Sequence, residues 1–259
     1  MTVISSPARA KSTEEILKKK NYSHLDTKKG PKQIESCIQN PSWVSHHGFL
    51  PFIHVVMKTK LRTGKHQKYS FKKRNIYYAS HTDSYIYQWY AHLLSEKYEK
   101  YLIEKDFQNC PIAYRSINHK SNIDFAMEAF QFIQKQKNSY VLVSDFSKFF
   151  DTLDHRLLKN NIKTILDVSE LPTDHYAVFK SMTKFCYFNL DDIATIKGVS
   201  LKSLQKAKSA PDQLLQLSEM RKLKNKYLKK NPNIQNKIGS IPFFVGLKTG
   251  ISKKVYCFD

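Results

Sequence analysis

The alternation of apolar and polar positions divides the chain into strand-like and helix-like stretches. Residues 50–61, LPFIHVVMKTKL, are rich in Val and Ile and predict a strand. Residues 62–80, RTGKHQKYSFKKRNIYYAS, predict a turn with Gly64 at its tip and then a returning strand. Together they outline a basic β-hairpin. Over 83–105, Ile86, Tyr90, Leu93, Leu94 and Tyr98 recur near a 3.6-residue period, which predicts a helix. A second amphipathic helix is expected over 121–136, with Phe125, Ala129, Phe132 and Ile133 on its inner face. SYVLVSDF, ending at Phe146, is a short apolar strand bounded by polar residues. A third helix follows over 152–166, capped by Thr152 and striped by Leu153, Leu157, Leu158, Ile162 and Leu166.

At the start of the chain, Ser12 or Thr13 caps a short helix whose first turn is acidic. Residues 171–189 read as helical. Residues 195–240 read as Lys-rich helix with a solvated basic face, and 240–259 as strand, turn and strand. Hairpin, helices, strand and helix in this order make an α+β pattern rather than a regular βαβ alternation.

Charge narrows the partners. Lys and Arg exceed Asp and Glu by 43 − 22, a formal net charge of +21. Such an excess repels itself in a compact chain and points to a polyanionic partner. Nucleic acid fits best, because the basic residues are mixed with Tyr and Phe, as in KYSFKKRNIYY, rather than laid along one amphipathic helix. No apolar run is long enough for a transmembrane helix, and no membrane partner is expected. The four cysteines have no CxxC spacing, so reduced thiols in a cytoplasmic protein are expected.

The candidate chemistry centres on VLVSDFSKFFDTLDHRLL, residues 141–158. An apolar strand ends on a carboxylate, Asp145, which is costly to desolvate without a partner. Two readings stand. Asp145 can open a turn and cap the next segment, or it can hold Mg²⁺ against a nucleoside triphosphate. Phe149 and Phe150 are core residues or substrate contacts. Asp151 and Asp154 suit a helix N-terminus. Asp191 and Asp192, in FNLDDIA, are a helix-start pair or a metal pair.

Three stretches resemble a known family. VSDFSKFFDTLDHRLL is similar to the first palm motif of bacterial reverse transcriptases. KKRNIYYASHTDSYIYQ, 72–88, resembles their fingers motif, and AYRSINHKSNIDFAMEA, 113–129, resembles the motif between. The three stand in the family's order, over roughly residues 45–190, and resemble its retron-like and phage-defence members. The resemblance implies the fingers and partial palm of a right-hand polymerase without a thumb. Residues 1–45 would form an N-terminal extension, 46–138 a fingers-like region, and 139–259 a partial palm with a basic helical insertion. It implies RNA-directed DNA synthesis by two Mg²⁺ ions, with RNA template, DNA primer or product, and dNTP as partners. Asp145 would be the catalytic carboxylate on both metals, and the Phe146 carbonyl would help hold one. Phe150 would sit under the sugar of the incoming nucleotide and reject a 2′-hydroxyl. Lys72, Lys73 and Arg74 would grip the triphosphate, and Arg115 would contact template or nucleotide.

The resemblance stops short of the remaining palm motifs. GSIPFFVGLKTGIS, 239–252, lacks the family's Pro-Gln-Gly turn, and no aromatic-x-Asp-Asp hairpin is present. The expectation is therefore an incomplete palm, its remaining carboxylates lost or supplied by a partner chain. The alternative is a nucleic-acid-binding protein without catalysis.

Overall fold

β-Branched and aromatic residues form the longest extended elements. β1 (Phe52–Thr63) and β2 (Lys68–Tyr78) pair antiparallel, from Ile53 opposite Tyr78 to Thr63 opposite Lys68. The structure, a computed structural model, describes residues 12–63, 68–115, 120–136, 139–146, 152–205, 213–231 and 251–258. Before the ribbon come α1 (Thr13–Ile16), α2 (Pro31–Ile38) and α3 (Pro41–Ser45). After it come α4 (His81–Glu104), α5 (Asn122–Gln134), β3 (Ser139–Phe146), α6 (His155–Leu166) and α7 (Thr173–Thr183). The chain continues through β4 (Cys186–Asn189), α8 (Leu190–Lys197), α9 (Leu201–Gln205), α10 (Leu217–Tyr227), β5 (Lys229–Lys230) and β6 (Ile251–Phe258). The fold is mixed α+β, as the pattern predicts. None of the described helices is long and apolar enough to cross a membrane.

The chain forms two compact units, Met1–Leu94 with Val168–Ile234, and Ser95–Asp167 with Gln235–Asp259. This differs from the three consecutive segments expected over 1–45, 46–138 and 139–259. Residues after 168 return to the first unit because they complete its sheet and core. β4 pairs parallel with β1, Phe52 opposite Tyr187 through His54 opposite Asn189, and β5 closes the sheet order β2-β1-β4-β5. The run CYFN is too short for periodicity to distinguish strand from helix, and 171–189 reads as one helix for that reason. Instead α7 ends at Thr183, and the strand follows two residues later.

One face of this sheet closes a core. Ile53 and Phe188 pack with Leu25, Leu190, Ile193, Leu214 and Leu215, while Val55 and Tyr78 lean against them. A second core gathers Leu17, Ile34, Ile38 and Val44 around Tyr85, Ile86 and Tyr90 of α4 and Val178 of α7. Tyr90 donates its hydroxyl to the buried Asp174 at 2.6 Å, tying α4 to α7.

A polar clasp seals the start of α4. Asp26 accepts the His81 and Thr82 amides at 3.0 Å each and the His81 Nδ1–H at 2.9 Å. This remote carboxylate satisfies N–H groups that every helix leaves open at its first turn. Asp83, buried in the same turn, meets His47 Nε2 at 2.7 Å and accepts the Leu50 amide at 2.9 Å. His24 lies fully buried beside them, and its Nε2–H donates to the Tyr78 carbonyl at 3.1 Å. That bond leaves Nδ1 bare. It has no hydrogen-bond partner among the described residues and lies 4.0 Å from the Asp26 carboxylate. The His24 backbone carbonyl accepts the Leu214 amide at 2.7 Å, which draws 213–215 into the unit.

The second unit is thinner. β3 pairs antiparallel with β6, Ser139 opposite Phe258 through Phe146 opposite Ile251. The expected inner face of α5 is not covered among the described residues. Phe125 and Ile133 are half-buried, whereas Ala129 and Phe132 are exposed. Asp154, not Thr152, caps α6, accepting the Arg156 amide at 2.7 Å. A carboxylate there also meets the positive end of the helix dipole.

The clasp gives the fold an acid-sensitive joint. Burial lowers the His24 imidazole to about 4, against the opposing pull of Asp26. The unfolded chain takes up this proton near pH 6.5 and the folded chain near pH 4, so stability is full above that window and falls through it. The loss amounts to about 3 kcal/mol. Burial pushes the Asp26 carboxyl up, but its bonds from His81 and Thr82 outweigh this and hold it at about 2, so its own contribution fades only below pH 3.8. Thermal melts should show a Tm that declines from pH 7 to pH 4 and a decline largely absent in His24→Asn. An equal decline in that variant would contradict the assignment.

Candidate nucleic-acid interface

β1 and β2 contain no acidic residue. Cross-strand partners share a face, so the register sorts their side chains into two rows. The inner face starts in the core with Ile53 and Tyr78, then Val55 and Ile76. Beyond the core it carries Met57 with Arg74 and Thr59 with Lys72. The outer face starts with His54 and Tyr77 and runs through Val56 with Asn75, Lys58 with Lys73, and Lys60 with Phe71. The sequence-predicted trio therefore divides. Lys72 and Arg74 lie exposed on the inner face, and Lys73 lies exposed on the outer one.

Past β4 the two strands have no third partner among the described residues, and the ribbon is exposed on both faces. Met57 is 51% and Phe71 63% exposed. A two-stranded ribbon is marginal by itself. This one is anchored at its base by β4 and the core beneath Ile53. Lysines along both strands also discourage edge-to-edge pairing with another chain.

Aromatic side chains gather at the base of the outer face. The rings of His54 and Tyr77 lie 4.8 Å apart at 30°, and Tyr187 stands edge-on 5.1 Å from Tyr77. Phe185 lies 5.2 Å from Tyr77 and 4.8 Å from Phe52. All five rings are half-buried. A polar chain fixes the imidazole. Asn189 donates to Asp192 at 2.9 Å and presents its Oδ1 to His54 Nδ1 at 2.8 Å, while His54 Nε2 meets Asn75 at 3.1 Å. Asp191 and Asp192 are thus first-turn acids of α8, with Asp192 orienting Asn189 and lying 3.7 Å from Lys229. The basic–aromatic mixture of 68–78 signals the ribbon half of this surface. The β4 half is hidden because CYFN does not announce itself as a strand.

In the second unit Arg115 is engaged internally. It forks onto Glu99, Nε at 2.7 Å and Nη2 at 2.6 Å, and Nη1 donates to the carbonyls of Gln108 and Pro111. Its side chain is 5% exposed. This is a brace for the loop after α4 rather than a group free for template or nucleotide, and the planar guanidinium is what allows the fork. Glu99 is held below its usual range by the Arg115 hydrogen bonds, against its own desolvation.

Asp145 is the penultimate residue of β3, with Ser252 opposite it, and Phe146 closes the strand opposite Ile251. Lys253 and Lys254 lie opposite Ser144 and Val143. Phe150 lies outside the described residues, as do Phe149 and Asp151. Two-Mg²⁺ chemistry needs several hard oxygen ligands in one place. No cluster of three or more His, Cys, Asp or Glu is gathered among the described residues. The chain matches no protein-family model and no curated protein.

Removing the brace should register as instability. Arg115→Ala is expected to cost about 2 kcal/mol, because Glu99 and two carbonyls lose their donors. Arg115→Lys should recover only part, since an ammonium cannot make the fork. A native melting curve for Arg115→Ala in differential scanning fluorimetry would count against the structural role.

Proposed function

We propose that the protein belongs with the bacterial reverse transcriptases as a cytoplasmic nucleic-acid-binding chain of the fingers and partial palm. It takes part in RNA-directed DNA synthesis by holding the RNA template and the incoming dNTP. The observation that carries this reading is the ordered set of three motifs, 72–88, 113–129 and 143–158. Two further features support it. Lys72 and Arg74 stand two residues apart on one exposed, acid-free strand face, where two cations can grip a triphosphate. A net charge of +21 suits a polyanionic template.

Asp145 is the carboxylate this chain offers to nucleotidyl transfer. The net charge of +21 and the basic, ring-bearing ribbon favour a second reading, in which the chain binds nucleic acid without catalysing transfer alone.

Photo-crosslinking with an azido-dATP tests the nucleotide grip. Labelling should fall about tenfold in Lys72→Ala/Arg74→Ala, the loss of one or two charge-assisted contacts. Equal labelling of the native and double-variant chains would overturn the reading. Primer extension on an RNA template separates the two versions. Incorporation abolished by Asp145→Asn marks a chain active by itself, and equal background from both marks the binding-only reading.

A further inference from the structure

The outer face of the first unit's sheet is a second surface, distinct from the one bearing Lys72 and Arg74. We propose that it is a platform for single-stranded nucleic acid. Bases stack on the aromatic side chains of His54, Tyr77, Tyr187 and Phe71, and lysines 58, 60 and 73 follow the phosphates. The proposal does not rest on the polymerase reading.

Three observations carry it. The first is alternation. Along the outer face cations and rings are interleaved, with Lys58 beside Lys73 and Lys60 beside Phe71, and the Lys60 ammonium lies 3.6 Å from the centre of the Tyr69 ring. Sequence-tolerant single-strand binders combine these two ingredients, a charged track and stacking faces. The second is preorganisation. The Asp192–Asn189–His54–Asn75 chain spans α8, β4, β1 and β2 and holds the imidazole in place before any ligand arrives. The third is the sign of the charge. β1, β2 and β4 carry no Asp or Glu, so a basic or neutral protein surface finds no complement here, whereas a phosphate backbone does. A duplex hides its bases in the stack, out of reach of the exposed Phe71 ring and of the half-buried rings at the base of this face. From Tyr77 to Phe71 the strand rises roughly 20 Å, long enough for several unstacked nucleotides.

The test is fluorescence anisotropy of the full chain with labelled oligouridylate, alongside a labelled duplex of equal length. Lys58→Glu/Lys73→Glu reverses two exposed cross-strand partners and should weaken single-strand binding at least tenfold and flatten its salt dependence. Phe71→Ala and Tyr187→Leu should each weaken it about fivefold or more, the loss of one stacked base. Phe71 is 63% exposed, so its variant keeps the fold. The inner-face pair Lys72→Glu/Arg74→Glu should weaken single-strand binding clearly less than the outer pair. Native affinity in both Phe71→Ala and Tyr187→Leu would overturn the platform, as would equal losses from the inner and outer charge reversals or a preference for duplex. Failure of the nucleotide grip would show in azido-dATP labelling instead, so the two proposals fall separately.

Discussion

The organisation of the first unit depends on one constraint, the two-residue period of β1. Ile53 must face Phe188 and the leucines beneath it, and a shift of one position would turn every side chain of the strand over. Burial of that dry face, at roughly 25 cal/mol for each Å² of apolar surface, is what fixes the register. The opposite set, His54, Lys58 and Lys60 with Tyr77, Lys73 and Phe71, is then committed to the other side. A hydrophobic requirement at the base of the ribbon therefore dictates where its cations and rings point far from the core.

The clasp around Asp26 does for the helices what Ile53 does for the sheet. Residues 22–26 bind the start of α4, the end of β2 and the segment 213–215 at once. Gln213 donates to the Leu25 carbonyl at 2.7 Å across 188 residues of sequence. Such long-range closure explains why the unit is built from two distant pieces of chain. It also explains why an apparent N-terminal extension is integral to the core, since Leu17 and Leu25 are 2% and 4% exposed.

Much of this was legible in the sequence wherever a local signal sufficed. The Val- and Ile-rich run at 52–56, the period of Ile86 and Tyr90, and the apolar strand before Asp145 each announced an element that is present. The cap of α6 is not legible because Thr152 and Asp154, two residues apart, are both good caps, and only backbone geometry chooses Asp154. β4 is not legible because four residues carry no period. The Asp26 clasp, the Arg115–Glu99 fork and the split of Lys72 and Arg74 from Lys73 required tertiary contacts or a register, which spacing alone does not encode. The apolar positions of α5 were legible as a stripe, yet Phe132 is 66% exposed, because periodicity predicts a face and not what covers it.

The proposed functions divide in the same way: the stretches 72–88 and 143–158 carry only a resemblance to polymerase motifs, whereas the proposed strand-holding platform rests on the cationic, ring-bearing sheet itself. The most direct measurement is a photo-crosslinking map of the full chain bound to single-stranded RNA carrying 4-thiouridine, read by mass spectrometry. The account predicts adducts on Tyr77, Tyr187 and Phe71. Adducts confined to the Lys-rich α10, with the sheet unlabelled, would contradict it.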